Sequence, residues 1–448
     1  VKSPAKIIRT DKWKLNPSPE QKVLFGETVR LYRQACRYLV GIIYTHWSEL
    51  GELTADQLTP ALEKLMHKTP KRPKIKYPQF NNTFYKFPSY YRRAAIAFAA
   101  GQVSSYVTRY RQWQSGCRKR KDSKPPRLNA DTGCYPALYK GQCYKLYGFD
   151  KIEIKVFDGK DWIWTTVKIT SLRERHEITT NTMMSPSLIF NDRYCHLSVP
   201  FACKPEKRKP EANVTAVDLG INTTATVAVV THDGTVIHRD FIHLGRDIDR
   251  RDKRLKSVST RASKTMGKGG RLHKGFCSKT YQKCQRINNQ IGQVVSRRIV
   301  EMAEKFNSEA IVFENLKGWK PKGGRKRSNL RQRFHGWLKA KIRDLTEMKW
   351  AELGGKVIEV VAAYTSKLAF DGSGTVKRDS KKYSKATFPS GKQFNADLNG
   401  AYNIGARGVF KLTRRNDSEG RSSKRSRRPP RSWASLCDLW ATASPRLA

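Results

Sequence analysis

The sequence predicts an α+β protein built of several domains. Three observations predict it. At 448 residues the chain exceeds what one core holds and allows two or three domains. Residues 17–119 carry helical apolar spacing, and residues 143–201 carry the alternation of strands. From Glu211 onward, long strands alternate with long helices, as in an α/β domain.

Each element has its own signal. Lys6 to Leu15 reads as a strand. Ser18 is then a good N-cap, Pro19 suits the first helical position and Gln21 closes a capping box. Val23, Leu24, Leu31, Leu39, Ile42 and Ile43 keep a helical apolar period to about Leu50. A second helix starts at Thr54, with Gln57 as its box partner, and Pro70 with the basic run Lys71 to Lys76 interrupts the pattern. A third runs from Ser89 to Trp113. The polar, basic stretch from Cys117 to Arg127 marks a boundary. Strands follow at Lys151 to Phe157, Asp161 to Ile169 and Ser187 to Phe201, in an antiparallel unit. Residues 204–209 form a charged, proline-bracketed linker.

Val214 to Val217 and Thr224 to Val230 then read as paired strands, with a turn at Asp233-Gly234. Residues 246–276 are strongly basic and punctuated by glycine. A helix from Ser278 to Phe306, a buried strand Ala310 to Phe313, a basic loop Lys317 to Arg333, a helix Gly336 to Leu353 and a strand Lys356 to Val361 follow. Beyond Phe410 the composition falls to Arg, Ser and Pro, so residues 411–448 read as a disordered basic tail.

Charge narrows the function. Lys and Arg number 88 against 38 Asp and Glu, a formal net charge of +50. Such a chain repels itself unless a polyanion neutralises it, and basic side chains set on phosphates release counterions and bind strongly. The predicted third helix mixes Tyr90, Tyr91, Tyr106, Tyr110 and Trp113 with Arg92, Arg93, Arg109 and Arg111. Rings can stack on bases while guanidinium groups take phosphates; the alternative is that the rings are core and the arginines a solvated face. A ribosomal-type structural protein and a membrane-surface protein are the bland rivals for the charge. No run of 18 apolar residues signals a membrane span, and the N-terminus lacks the apolar core of a signal peptide. The nine cysteines are odd in number and none are at C-x-x-C spacing, which signals neither a disulfide framework nor a zinc knuckle. A reducing cytosol is the expectation.

Three stretches each put a carboxylate at the edge of an apolar run. They are Val214-Thr215-Ala216-Val217-Asp218-Leu219-Gly220-Ile221-Asn222, Ala310-Ile311-Val312-Phe313-Glu314-Asn315-Leu316, and Asn395-Ala396-Asp397-Leu398-Asn399-Gly400-Ala401-Tyr402-Asn403-Ile404. The last reads as the start of a helix. An acid on a buried strand is costly unless its charge is matched. With 38 acids and 88 bases, surface pairing is easy and does not require acids at apolar edges. A divalent cation supplies the compensation, since Mg²⁺ takes carboxylate oxygens and keeps waters and substrate phosphate. Two such ions can activate a water and stabilise the leaving oxygen of a phosphodiester. Gly220 is expected to let backbone or substrate come near Asp218. The alternative is that Asp218 and Asp397 cap turns or helices and Glu314 pairs with a lysine.

The three stretches resemble the three RuvC motifs of TnpB, the OrfB-type protein of bacterial insertion sequences, shared by compact type V CRISPR effectors. Leu15-Asn16-Pro17-Ser18-Pro19-Glu20-Gln21 also resembles the TnpB opening, so the likeness covers most of residues 6–410. The resemblance implies an RNA-guided DNA endonuclease, with guide RNA and target double-stranded DNA as partners. It implies an RNase H-like (RuvC) nuclease domain, a split β-barrel wedge and a helical recognition insert. The wedge would take residues 1–16 and 120–205, the insert 17–119 and the nuclease domain 206–410. By motif match Asp218, Glu314 and Asp397 would be the Mg²⁺ ligands and the catalytic acids. Nucleic acid would lie on Arg92, Arg93, Arg109 and Arg111 of the insert and on Lys268, Arg271 and Lys274 of the 246–276 segment. A bacterial cytoplasmic protein, on the nucleoid when it acts, is implied too.

One departure stands out. TnpB commonly carries a four-cysteine zinc knuckle between its second and third RuvC motifs. Here Ala369 and Gly372 follow Thr365-Ser366-Lys367 where the first pair is expected, and the second pair falls near Thr387 and Ser390. Zinc is therefore not expected, and residues 362–394 replace the knuckle. Thr365-Ser366 reads as a turn after the Val357 to Val361 strand more readily than as a substrate contact. The same motifs fit a compact CRISPR effector, or a cleavage-silent RNA-guided regulator had an acid been lost. A strand-joining transposase and a structural RNA-binding protein fit them less well.

Overall fold

The computed structural model describes residues 7–84, 86–117, 124–129, 133–148, 150–171, 182–191, 194–205, 207–221, 223–266, 270–318, 333, 336–379, 382–420 and 434–443. The chain divides into two compact units, Val1–Lys204 and Pro205–Ala448. Both mix helix with sheet, giving an α+β multidomain protein. Among the described residues no helix is long and apolar enough to cross a membrane.

The first unit opens with strand β1 (Ile7–Asn16) and helices α1 (Pro19–Thr45), α2 (Trp47–Leu50), α3 (Ala55–Met66), α4 (Gln79–Thr83) and α5 (Ser89–Gln114). Strands β2 (Tyr144–Tyr147), β3 (Lys151–Phe157), β4 (Trp162–Ser171), β5 (Thr182–Met183), β6 (Ser187–Asn191) and β7 (Tyr194–Cys203) follow. All pair antiparallel in one sheet of order β2-β3-β4-β1-β7-β5, with β6 also on β7. The capping box at Ser18 and Gln21 forms. The Gln21 amide also donates to Thr165 and to the Thr166 carbonyl, at 2.9 and 2.7 Å, tying the start of α1 to β4. The Thr54–Gln57 box forms at the start of α3.

One core runs through helices and sheet: Phe25, Tyr32, Tyr91 and Ile96 meet Trp13, Ile154, Leu197 and Phe201. The expected division at 16/17 and 119/120 therefore separates no independent cores. The single strand expected over Ser187 to Phe201 is two, because the Asn191 side chain accepts from the Tyr194 N–H at 2.9 Å and turns the chain.

The second unit contains β8 (Glu211–Asp218), β9 (Ala225–Thr231), β10 (Val236–Ile242), α6 (Gly245–Thr265), α7 (Ser278–Lys305), β11 (Ser308–Asn315), α8 (Lys339–Glu352) and β12 (Lys356–Val361). Three short strands, β13 (Lys377–Arg378), β14 (Lys385–Thr387) and β15 (Gln393–Asn395), precede α9 (Ala396–Gly420) and α10 (Leu436–Ala443). The main sheet has the order β10-β9-β8-β11-β12. β9 is antiparallel to both neighbours, while β8, β11 and β12 run parallel. Helices cover both faces, so the central strands read as unbroken apolar runs. Val214, Ala216, Ala310 and Val312 face the core under α9. Val217, Ile311 and Phe313 face Ile291, Val295 and Ile299 of α7.

One element here was not foreseen, and one expectation fails. The basic stretch after Arg246 is largely the helix α6. It buries only Ile248, Arg251 and Val258, too few positions to give an apolar period. The tail from 411 is not without structure: α9 runs on to Gly420, and α10 docks on the sheet domain. Leu436 and Leu439 are buried, the Cys437 N–H donates to the Phe370 carbonyl at 2.9 Å, and Trp440 Nε1 donates to the Gly234 carbonyl at 3.0 Å. Residues 421–433 lie outside the described ones.

Removing a core leucine costs its transfer energy plus a cavity. Leu436→Ala should therefore lower unfolding stability by about 2–5 kcal/mol, read from urea denaturation. A loss of only a few tenths, as surface substitutions give, would mean that α10 does not belong to the core.

Candidate active site

Strand geometry brings the first two acids together. Side chains alternate along a strand, so Asp218 shares a face with Val214 and Ala216, and Glu314 with Ala310 and Val312. Both therefore point to the layer under α9. Phe313 lies opposite Val217 in the parallel pair, which carries Glu314 to the level of Asp218 at the same end of the sheet. Asp397 stands in the first turn of α9, which packs across β8 and β9. The Asn395 side-chain oxygen accepts from the Asp397 and Leu398 N–H groups at 2.9 and 3.0 Å, fixing that helix start.

All three acids are half-buried, at the rim of the core. Burial pushes the Asp218 carboxyl well above the usual range, and the Glu314 and Asp397 charges push it further. Arg378, on the 362–394 segment, acts against them. Burial raises Glu314 too, opposed by a hydrogen bond from Thr365 and by the Arg407 charge. Arg407 is itself buried, and burial pulls its guanidinium down to about 10. Among the described residues no lysine pairs with Glu314. Asp218 thus lies within reach of two like charges, with little positive charge to offset them.

Gly400 explains how they fit. A Cβ there would stand 2.5 Å from Asp218 Oδ2. The Asp218 carboxylate occupies the space that a side chain on α9 would take. Gly405 and Gly408 continue the contact, a Cβ at either meeting Val230 or Val312 at 2.6 or 2.5 Å. Gly220, expected to open space beside Asp218, instead makes room for the Thr223 carbonyl in its own turn.

The donor set suits a hard divalent cation: three carboxylates, crowded and short of positive charge. As they stand, no three His, Cys, Asp or Glu side chains among the described residues form a ready cage. Mg²⁺ needs only one or two carboxylates alongside water and phosphate, so the residues fit it. They do not fit zinc, as Ala369, Gly372, Thr387 and Ser390 offer neither thiolate nor imidazole. Hydrogen bonds and packing do the linking there. The Asp371 carboxylate accepts from Ser373 N, Ser373 Oγ and Ser390 Oγ at 3.0, 2.6 and 3.1 Å. The rings of Phe370, Phe388 and Phe394 lie 5.0 to 6.1 Å apart.

The basic candidates divide. Arg92 is corrected: it is buried, and its Nε donates to Glu63 at 3.0 Å, so it joins α5 to α3 and does not face solvent. Arg93 and Arg111 are exposed, and Arg109 is half-buried with its Nε on the Ser105 carbonyl at 3.0 Å. Tyr91 is core, its hydroxyl donating to the Lys155 carbonyl at 2.7 Å. Tyr106, Tyr110 and Trp113 form a half-buried ladder along α5, with centroids 5.8 and 5.4 Å apart. Arg271 and Lys274 are exposed; Lys268 lies outside the described residues, as do Asn222 and most of the basic loop after Lys317.

Comparison with known proteins follows this layout. A model of the Aq_aa04 family matches residues 9–158, and one described as Cas12f1-like, TNB domain matches residues 340–404. TnpB-like protein aq_aa05 of Aquifex aeolicus (strain VF5) is 26% identical over 226 residues, which span 47% of this chain and 72% of that protein. The Cas12f1 chain of a Cas12f1–sgRNA–target DNA complex superposes with a TM-score of 0.52 at 13% identity, over 86% of this chain and 82% of the other. The mini-RNA-guided endonuclease CRISPR-Cas_phi3 gives 0.50 at 10% identity, over 91% and 92%. The chain is thus similar to a TnpB-like protein and, over residues 340–404, to the Cas12f1-like TNB domain. The TNB match takes in Thr365, Arg378, Asp397 and Gly400, and so includes the segment that lacks the four cysteines. The two solved structures bear on the fold alone.

The raised Asp218 carboxyl has a consequence for stability. The folded state holds that proton to higher pH than the unfolded chain does. Its stabilising contribution is full below roughly pH 4, near the unfolded value, and is lost as pH rises through the raised folded value. In EDTA at pH 7–8, Asp218→Asn should therefore melt above the parent, by about 2–4 °C per kcal/mol of penalty removed. The two should converge near pH 4. An asparagine variant that melts lower at pH 8 would contradict the electrostatic account.

Proposed function

We propose that this protein is an RNA-guided, Mg²⁺-dependent DNA endonuclease with an RNase H-like (RuvC) active site at Asp218, Glu314 and Asp397. The observation that carries the proposal is Asp218 packed on Gly400, with Glu314 level with it on the next strand and the Glu314 and Asp397 charges both acting on it. The strand order β10-β9-β8-β11-β12, with β9 antiparallel, supports the RNase H-like reading. The antiparallel sheet of the first unit would serve as the wedge, and its helices as the recognition insert.

In this reading Asp218 and Asp397 hold the ions and Glu314 completes the shell. Bound divalent ions would supply an activated water and a stabilised leaving oxygen. The chain itself contributes position. Asp218 is fixed on a central strand against Gly400, Asp397 at a capped helix start, and Glu314 by Thr365. The half-open setting suits a polymer that lies across the site. Guide RNA and target duplex would be held by exposed cations such as Arg93, Arg111, Arg271 and Lys274, in a chain of net charge +50. Base pairing would then read the target, and the protein would read only a short flanking motif. The Cas12f1-like match favours a second form of the same chemistry, a compact type V CRISPR effector. A repeat array beside the gene would distinguish it.

RNA sequencing after purification from cells carrying the native locus tests the guide. One abundant RNA ending in a variable stretch is expected; a random sample of cellular RNA would remove the guide from the account. With that RNA, matching DNA and Mg²⁺, Asp218→Ala should abolish cutting while nucleic-acid binding stays within a few-fold of the parent. Retained cutting would sink the assignment.

A further inference from the structure

A buried face of α9 should be apolar. Yet Asn399, Asn403 and Arg407, four residues apart, are 0%, 0% and 4% exposed. Buried polar groups need partners, and these three find most of theirs on one short segment. Asn399 Nδ2 donates to the Leu368 carbonyl at 2.8 Å, and its Oδ1 accepts from the Phe370 N–H at 2.8 Å. Asn403 Nδ2 donates to the carbonyls of Thr365 and Leu368, at 2.9 and 2.8 Å. The Arg407 guanidinium donates to the carbonyls of Val361, Ala363 and Ala434, at 2.6, 2.7 and 3.1 Å. The chain from Val361 to Phe370 is thereby pinned to the helix that carries Asp397.

The pinned segment is not relaxed. Tyr364 has φ +63°, a left-handed conformation that a bulky residue adopts only when its surroundings hold it. The next residue, Thr365, is buried, and its hydroxyl donates to Glu314 Oε1. The Ala362 carbonyl lies 3.0 Å from the same hydroxyl.

We propose that Thr365 is the positioning residue for Glu314, and that Asn399, Asn403 and Arg407 exist to hold it there. The need is physical. Asp218 is short and backed by Gly400, whereas Glu314 has an additional rotatable bond and gains no fixed place from its strand alone. A buried hydroxyl from a pinned turn supplies the second point of attachment. Helix α9 then sets two acids at once: Asp397 directly, and Glu314 through Thr365. The inference rests on the reading of these acids as divalent-ion ligands.

The test measures Mn²⁺ affinity on the full chain with its co-purified RNA, by electron paramagnetic resonance of free Mn²⁺. Partners that orient a ligand are typically worth about 10–100-fold in metal affinity. Thr365→Val, equal in size and without the hydroxyl, should weaken binding about 10–100-fold while the metal-free melting temperature holds. Thr365→Ser should restore affinity to within a few-fold. If Thr365→Val fails to fold, Thr365→Ala carries the same expectation. Wild-type affinity in the hydroxyl-free variant, or no rescue by serine, overturns the proposal, provided Asp218→Ala has lost binding. If Asp218→Ala binds Mn²⁺ like the parent, it is the metal reading that fails.

Discussion

Like charge gathered at the rim of an apolar core is the constraint on which the second unit turns. Asp218 and Glu314 end two adjacent parallel strands on the same face, and Asp397 opens the helix that crosses them. In isolation the arrangement is unfavourable, as the upward shift of Asp218 expresses. Only close packing makes it possible. Gly400, Gly405 and Gly408 let α9 lie on β8, β9 and β11 with no side chain between. A bulkier residue at 400 would have to displace the Asp218 carboxylate.

The rest of the unit maintains that approach. The stripe Asn399, Asn403 and Arg407 fastens the turn after β12, and α10 ties Phe370 of the following segment to Gly234 in the β9–β10 turn. Residues 362–394 are linked by the Asp371 carboxylate and a phenylalanine cluster, and from that segment Arg378 adds a cation near Asp218. Stability there comes from ordinary packing and hydrogen bonding. The +50 net charge bears on the acids, since a polyanion would bring phosphate to acids that cannot attract it unaided.

Much of this was legible in the sequence, for a physical reason. Strands buried on both faces read as unbroken apolar runs, so an acid at the end of one stands out. Capping boxes at Ser18 and Thr54 are local chemistry and appear where the residues predict them. What was hidden depends on partners far along the chain. Nothing local to Gly400 says that Asp218 lies against it, or that Arg92 meets Glu63 in the core and not a phosphate. The helix α6 was hidden by its charge, and α10 by the basic residues before it, although Leu436-Cys437-Asp438-Leu439-Trp440 carries a short apolar signal. The spacing of Asn399, Asn403 and Arg407 was visible and could have been read as one helix face with polar work to do. Its target, Thr365, could not.

The central claim is that the three carboxylates hold divalent metal. An anomalous difference map from crystals of the full chain grown with its RNA and soaked in Mn²⁺ tests it most directly. The account predicts density for manganese bounded by Asp218, Glu314 and Asp397. Well-ordered carboxylates with no manganese between them, or manganese bound only elsewhere, would contradict it.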